Sequence, residues 1–141
     1  MNAILKPVSI FFSAALLVGC GGGDSFDTAT YQNAVGAAVI KEAEARALAV
    51  DTPCETILQC GVVVFTDPKD HCAMPVYKPY SVVSATAAAA KAASDQQLAL
   101  AAHARELSPQ PLFACPALAS VPPVLACVAS SCISWSGGNP L

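Results

Sequence analysis

Seven cysteines are distributed along 141 residues, and this odd count constrains the fold more than any other feature. They are Cys20, Cys54, Cys60, Cys72, Cys115, Cys127 and Cys132. An odd number cannot pair completely within one chain, so at least one cysteine has a different role. No two are spaced C-x-x-C, and His71 and His103 lie at no zinc-site spacing, so no metal site is expected. The chain is 55% hydrophobic, which raises the question of a membrane protein, but 28 of its residues are alanine. Much of that hydrophobicity is therefore single methyl groups. The formal charge of −3 provides no basic surface, which argues against a nucleic-acid binder.

The N-terminus separates Cys20 from the rest. Lys6 precedes an uncharged run over 8–18, which is about as long as a signal-peptide core. It is too short for a bilayer span of about 20 residues. The run ends in Leu17-Val18-Gly19-Cys20. In these four residues the chain resembles bacterial lipoproteins, whose lipobox has Leu, a small or branched residue, Gly or Ala, then Cys. The resemblance implies cleavage between Gly19 and Cys20, a diacylglyceryl group on the Cys20 thiol and acylation of the new amine. Two or three acyl chains suffice for stable anchoring in a lipid bilayer. Gly21-Gly22-Gly23-Asp24-Ser25 reads as a flexible tether. Gly21 after the lipidated Cys resembles the pattern of outer-membrane sorting. The expected organisation is a signal peptide at 1–19, lipidated Cys and tether at 20–26, one globular domain at 27–136 and a frayed tail at 137–141.

With Cys20 set aside, six cysteines remain, an even set that reads as three structural disulfides in an oxidising compartment. Six cysteines allow 15 pairings. If a strand near 57–66 runs antiparallel to the tail, Cys54 faces Cys132 and Cys60 faces Cys127, with a bulge absorbing a one-residue offset. Cys72 then pairs with Cys115. A rival arrangement joins Cys127 to Cys132 across a hairpin. The stretch from Cys54 to Cys132 also resembles small exported bacterial domains. These have two cysteines before a Val-rich strand, one after it, an Ala-rich helix, and then Cys-Pro and Pro-Val-x-x-Cys-Val-x-x-x-Cys. The resemblance implies a fold and carries no activity.

The expected fold is α+β, with two helices and a few antiparallel strands. Asp27 can cap a helix over 28–50, with Gly36, Ile40, Ala43, Ala47 and Val50 as its apolar stripe and Glu42–Arg46 as an i,i+4 pair. Pro53 closes it. The continuous Val62-Val63-Val64-Phe65 run predicts a strand over 57–66 covered on both faces. Residues 67–70 form a turn, and 72–84, with Pro75 and Pro79, read as irregular or extended. Ser84 can cap a second helix over 85–107, with Ala89, Ala93, Leu100, Ala104 and Leu107 on its buried face. Lys91, Asp95, His103 and Arg105 exclude a transmembrane reading of this helix. Strands over 124–128 and 132–135 form a hairpin.

Catalytic signals are weak. No G-x-S-x-G, H-E-x-x-H, phosphate-binding or dinucleotide fingerprint occurs, and no cofactor is expected. His71 adjoins Cys72, and His103 is expected to pack at the border of the second helix's apolar face. Glu55, Asp67 and Asp70 do not have calcium-loop spacing. Tyr77, Lys78 and Tyr80 could stack on a glycan, but as sheet-edge cover they need no ligand. Trp135 reads as a lid on the core. The expected function is a membrane-anchored envelope lipoprotein with a non-enzymatic binding or structural domain, whose partner is an envelope protein or a glycan. The alternative is a periplasmic enzyme inhibitor or small hydrolase, with 67–71 as the inhibitory loop.

Overall fold

The computed structural model describes residues 27–109, 114–116, 120–136 and 139–140. Two helices and two small antiparallel sheets form an α+β domain crossed by three disulfides.

Helix α1 spans Thr28–Leu48. The Asp27 carboxylate accepts from the backbone N–H groups of Ala29 and Thr30 and from the Thr30 hydroxyl, which satisfies donors the first turn leaves free. Helix α2 spans Ala87–Glu106. Ala34 and Val35 near the start of α1 pack with Ala104 near the end of α2, so the helices run antiparallel. At the other end Ala45 and Ala49 pack with Ala87, Ala90 and Ala93.

Helix α1 buries a different stripe from the one expected, whereas α2 buries Ala93 and Ala104 of its expected stripe and half-buries Leu100 and Leu107. In α1 the buried positions are Ala34, Val35, Ala38 and Ala45, while Ile40 is 67% exposed and Val50 40% exposed. In α2 the buried residues include Ala90, Ala93, Ser94, Gln97, Ala101 and Ala104, and Ala89 faces outward. Close helix–helix approach favours the faces with the smallest side chains, so alanine is buried and the larger Ile40 is left outside. The start of α2 also differs. Its N-cap is Thr86, whose hydroxyl donates to Leu48 O at 2.7 Å, while the Ser84 hydroxyl is buried without a partner.

A single 3-10 turn, Ile57–Gln59, leads into strand β1, Cys60–Phe65, which is shorter than the expected strand. Val63 and Phe65 are fully buried, whereas Val62 and Val64 are only half-buried, so one face is covered completely and not both. The ladder partner of β1 is β2, Val76–Ser81, within the stretch expected to be irregular or extended. Pro79 pairs with Val62 in that ladder. A proline there is tolerated because β2 lies at the edge of its two-stranded sheet. The Tyr80 ring lies over Gly61, where an added Cβ would stand 2.9 Å from it.

The free edge of β1 is covered by side chains of α2. Ser94 Oγ accepts from Val64 N–H at 3.1 Å and donates to Val64 O at 2.8 Å. Gln97 Oε1 accepts from Thr66 N–H at 3.4 Å, and its Nε2 donates to Thr66 O at 2.7 Å. Two buried polar residues of a helix thus take the place of a neighbouring strand.

Strands β3, Val124–Val128, and β4, Ser131–Ser136, form the expected hairpin, turning through Ala129 and Ser130 at φ 49° and 64°. The tail adds a short β5, Asn139–Pro140, on β4, where a frayed end was expected. Residues 50–54 join the two sheets. Ser81 N–H donates to Val50 O and Cys132 N–H to Asp51 O, both at 2.8 Å, and Cys54 N–H donates to Ser130 O at 3.0 Å. Thr52–Pro53 is cis, and Pro53 O accepts from the Ser81 hydroxyl.

Candidate functional site

Cysteine chemistry dominates the candidate site. Cys54 bonds Cys127 and Cys60 bonds Cys132, so the expected pairs Cys54–Cys132 and Cys60–Cys127 are exchanged. The physical reason is the sheet topology. The antiparallel partner of β1 is β2 and not the tail, which removes the basis for a nested register. The two bonds instead span nearly equal separations, 73 and 72 residues, so 54–60 meets 127–132 in the same chain direction. Cys127 and Cys132 face each other across the hairpin but are not bonded to each other. Cys72 is bonded to Cys115.

These bonds occupy two environments. Cys54 and Cys132 are 2% and 1% exposed. The Sγ atoms of Cys54, Cys60 and Cys132 lie within 4.8 Å of one another, so two disulfides pack side by side. Cys115, by contrast, is exposed, and Cys72 is half-buried beside the loop of residues 67–71. Cys20, Gly19 and the tether lie outside the described residues.

The 67–71 loop is ordered by its own carboxylates. Asp67 Oδ1 accepts from Lys69 N–H, and Asp70 Oδ1 accepts from Cys72 N–H, each at 2.8 Å. Arg105 Nη1 donates to Thr66 Oγ1 and Asp67 O, both at 3.1 Å. The loop is therefore tied to α2 by Arg105 and to Cys115 by a disulfide. Among the described residues, Glu55, Asp67 and Asp70 form no common carboxylate cluster.

The histidines are separated. His103 lies on the open side of α2, not at the border of its apolar face, with Nδ1 3.7 Å from Glu106 Oε2. The i,i+3 spacing to Glu106 turns the ring outward. Nε2 of His71 is buried without a hydrogen-bond partner. Tyr80 belongs to the core, while the Tyr77 hydroxyl shares a 2.8 Å hydrogen bond with Ser120. Lys78 Nζ donates to Arg46 O at 2.5 Å, which places a cation at the C-terminal end of α1. Arg46 also bonds Glu42 and stacks 4.4 Å above the Phe65 ring. Arg46, Tyr77 and Lys78 border a groove of about 560 Å³ that also includes Asp51, Ile133 and Ser134. Its cations are already engaged by the protein.

The convergence of Cys54, Cys60 and Cys132 could not be found by local spacing, because their segments meet only through the tertiary fold. The edge-capping role of Ser94 and Gln97 did leave a signal. They are polar residues at i,i+3 between Ala93 and Ala101, on a face otherwise lined with methyl groups. No protein-family model, no curated protein and no solved structure matches the chain.

Proposed function

We propose that the chain is a bacterial envelope lipoprotein, anchored through acylated Cys20 and more suited to the outer than the inner membrane. Its domain is a non-enzymatic binding or structural module. The observation that carries this reading is the partition of the cysteines. The six from Cys54 to Cys132 pair among themselves and leave Cys20, the cysteine that follows Leu17-Val18-Gly19. Three disulfides suit an oxidising compartment outside the cytoplasm. The absence of a fingerprint motif and the solvent-facing His103–Glu106 pair support a binding role over hydrolysis.

The test is mass spectrometry of the mature protein made in a bacterial host. The expected product begins at Cys20 and carries a thioether-linked diacylglyceryl group. A free Cys20 thiol, or retention of residues 1–19, overturns the anchor. No helix among the described residues is long and apolar enough to cross a membrane, so Cys20 is the residue on which the membrane partner depends in this reading.

The second reading is an enzyme inhibitor. It is favoured by the 67–71 loop, which is exposed at Asp67, Lys69 and Asp70 and tied at its end by Cys72–Cys115. A disulfide-braced loop of this kind loses little entropy on binding. Stoichiometric inhibition in a protease panel, abolished by Cys72→Ala/Cys115→Ala, is the expected result of that reading. A panel without inhibition removes it.

A further inference from the structure

The groove of about 560 Å³ is lined by residues of both β2 and β4. Its size falls within the roughly 300–1,000 Å³ of small-ligand sites. Tyr77 and Pro79 stand on one face of β2, as the two-residue period of a strand requires, and both line the groove. Their rings give it an apolar wall, and Ile133 adds an aliphatic side chain from β4. The Tyr77 hydroxyl shares a 2.8 Å hydrogen bond with Ser120, which fixes the ring before a ligand arrives.

Three polar groups complete the lining. Ser134 borders the groove yet is only 7% exposed, and among the described residues its hydroxyl has no hydrogen-bond partner. An enclosed hydroxyl of this kind is costly unless something in the groove meets it. Asp51 is exposed, and its carboxylate has no partner among the described residues. Its backbone is fixed, because Asp51 O accepts from Cys132 N–H. Lys78 Nζ spends one of its three hydrogens on Arg46 O. The groove thus offers an acceptor, a two-way hydroxyl and a donor. Arg46 is neutralised by Glu42, and Lys78 and Asp51 carry opposite charges, so the lining has no net charge.

We propose that this groove binds a neutral saccharide, a pyranose or a pair of linked pyranoses. A pyranose has a C–H face that packs on the Tyr77 and Pro79 rings. Its rim of hydroxyls both donates and accepts. The Asp51 carboxylate accepts from that rim, the Lys78 ammonium donates to it, and the Ser134 hydroxyl does either. A phosphate or a uronate would be repelled by Asp51, and an alkylammonium by Lys78. Neither would use both charged groups at once, whereas a neutral polyol does. The proposal rests on the reading of the domain as a binding module and names the ligand class of that module. It requires nothing of Cys20.

The test is an amide chemical-shift titration of the oxidised full chain carrying Cys20→Ser. The probes are glucose, galactose, mannose and N-acetylglucosamine, each as its methyl glycoside and as a disaccharide. At least one of them should give saturable shifts centred on the amides of Asp51, Tyr77, Lys78, Ile133 and Ser134. Asp51→Ala, at an exposed side chain, should weaken that binding about tenfold, and Ser134→Ala about threefold. Ile40→Ala, on the exposed face of α1, should leave it unchanged. Spectra of the sugar-free variants show whether each is folded. A panel in which no sugar moves these amides overturns the proposal. So does binding that a folded Asp51→Ala chain retains in full, or tighter binding of propylammonium or inorganic phosphate at the same amides. Each of these results removes the saccharide alone, because the anchor is decided separately by the mass of the Cys20 terminus.

Discussion

In the helical half, α1, α2, β1 and β2 supply nearly all the buried apolar side chains, with Phe65, Val63 and Tyr80 set against alanine methyls. No disulfide joins α1 to α2. In the hairpin half, β3 contributes no fully buried residue and β4 contributes Cys132 and Ser134. Two disulfides and the hydrogen bonds from residues 51 and 54 hold that hairpin in place. The contrast shows how a small domain divides its constraints. Where methyl groups can be brought close, packing suffices. Where a strand pair has little apolar surface to bury, covalent closure takes over.

The largest expected effect comes from breaking the hairpin's attachment. Cys60–Cys132 closes a separation of 72 residues, but Cys54–Cys127 still closes nearly the same loop, so its loss frees the ring formed by 54–60 and 127–132, for which loop entropy gives about 3 kcal/mol. Cys60→Ala/Cys132→Ala should lower the unfolding free energy in urea by that order. Hydrogen exchange sharpens the comparison. The amides of Ala126 and Ile133 should lose protection before those of Ala38 and Ala101 in the helices. Equal loss in both halves would show one cooperative unit and dissolve the distinction.

Next in size is the polar edge of the helical half. Gln97→Met keeps much of the side-chain volume but leaves the N–H and C=O of Thr66 unpaired, at a cost of about 2–3 kcal/mol. Its neighbour Gln96 is exposed, and Gln96→Met should stay within about 0.5 kcal/mol. Thermal or urea unfolding of the two variants measures the difference. Similar stabilities would mean that the β1 edge does not depend on α2.

Smaller again is the effect of overfilling the helix interface. Ala101 of α2 is fully buried, and Ala101→Leu should cost about 1–3 kcal/mol. Ile40→Ala removes a larger apolar side chain from an exposed site and should change stability by less than about 0.5 kcal/mol. This reversal of the usual order, measured by denaturant midpoints, tests whether closeness rather than side-chain size organises the helices.

The same contrast explains what could be read from the sequence. The α+β class, both helices, the β3–β4 hairpin and the Asp27 cap rest on local signals, namely capping, propensity and proline punctuation. The buried stripe of α1 was not legible, because ranking by hydrophobicity favours Ile40 and Val50 whereas its buried face is mainly alanine; of the α2 stripe, Ala93 and Ala104 were legible and Ala89 was misplaced. Strand β2 was obscured by Pro75 and Pro79, which rule out a central strand but not an edge strand. The exchange of disulfide partners had no local signal, since it follows from β1 pairing with β2. Cys20 remains a matter of sequence alone, and its proposed role rests on the resemblance of Leu17-Val18-Gly19-Cys20 to a lipobox.

The smallest effect belongs to the start of the helical half, and it depends on pH. The Thr30 hydroxyl, with the Thr30 and Ala29 N–H groups, holds the Asp27 carboxyl below its ordinary value of 3.8. A carboxyl with a depressed folded pKa stabilises the fold above its unfolded value. That contribution disappears as pH falls from there through the lower folded value, where both states are protonated. Asp27→Asn keeps a capping oxygen but removes the titration. The stability gap between wild type and Asp27→Asn should therefore be widest at neutral pH and narrow on acidification below 3.8. Urea unfolding at pH 7 and pH 3 measures this gap. Because Asp27 caps α1 and does not touch the hairpin, the amides of the first turn of α1 should follow the change while those of β3 and β4 do not. A gap of constant width would show that the cap acts through its shape and not its charge.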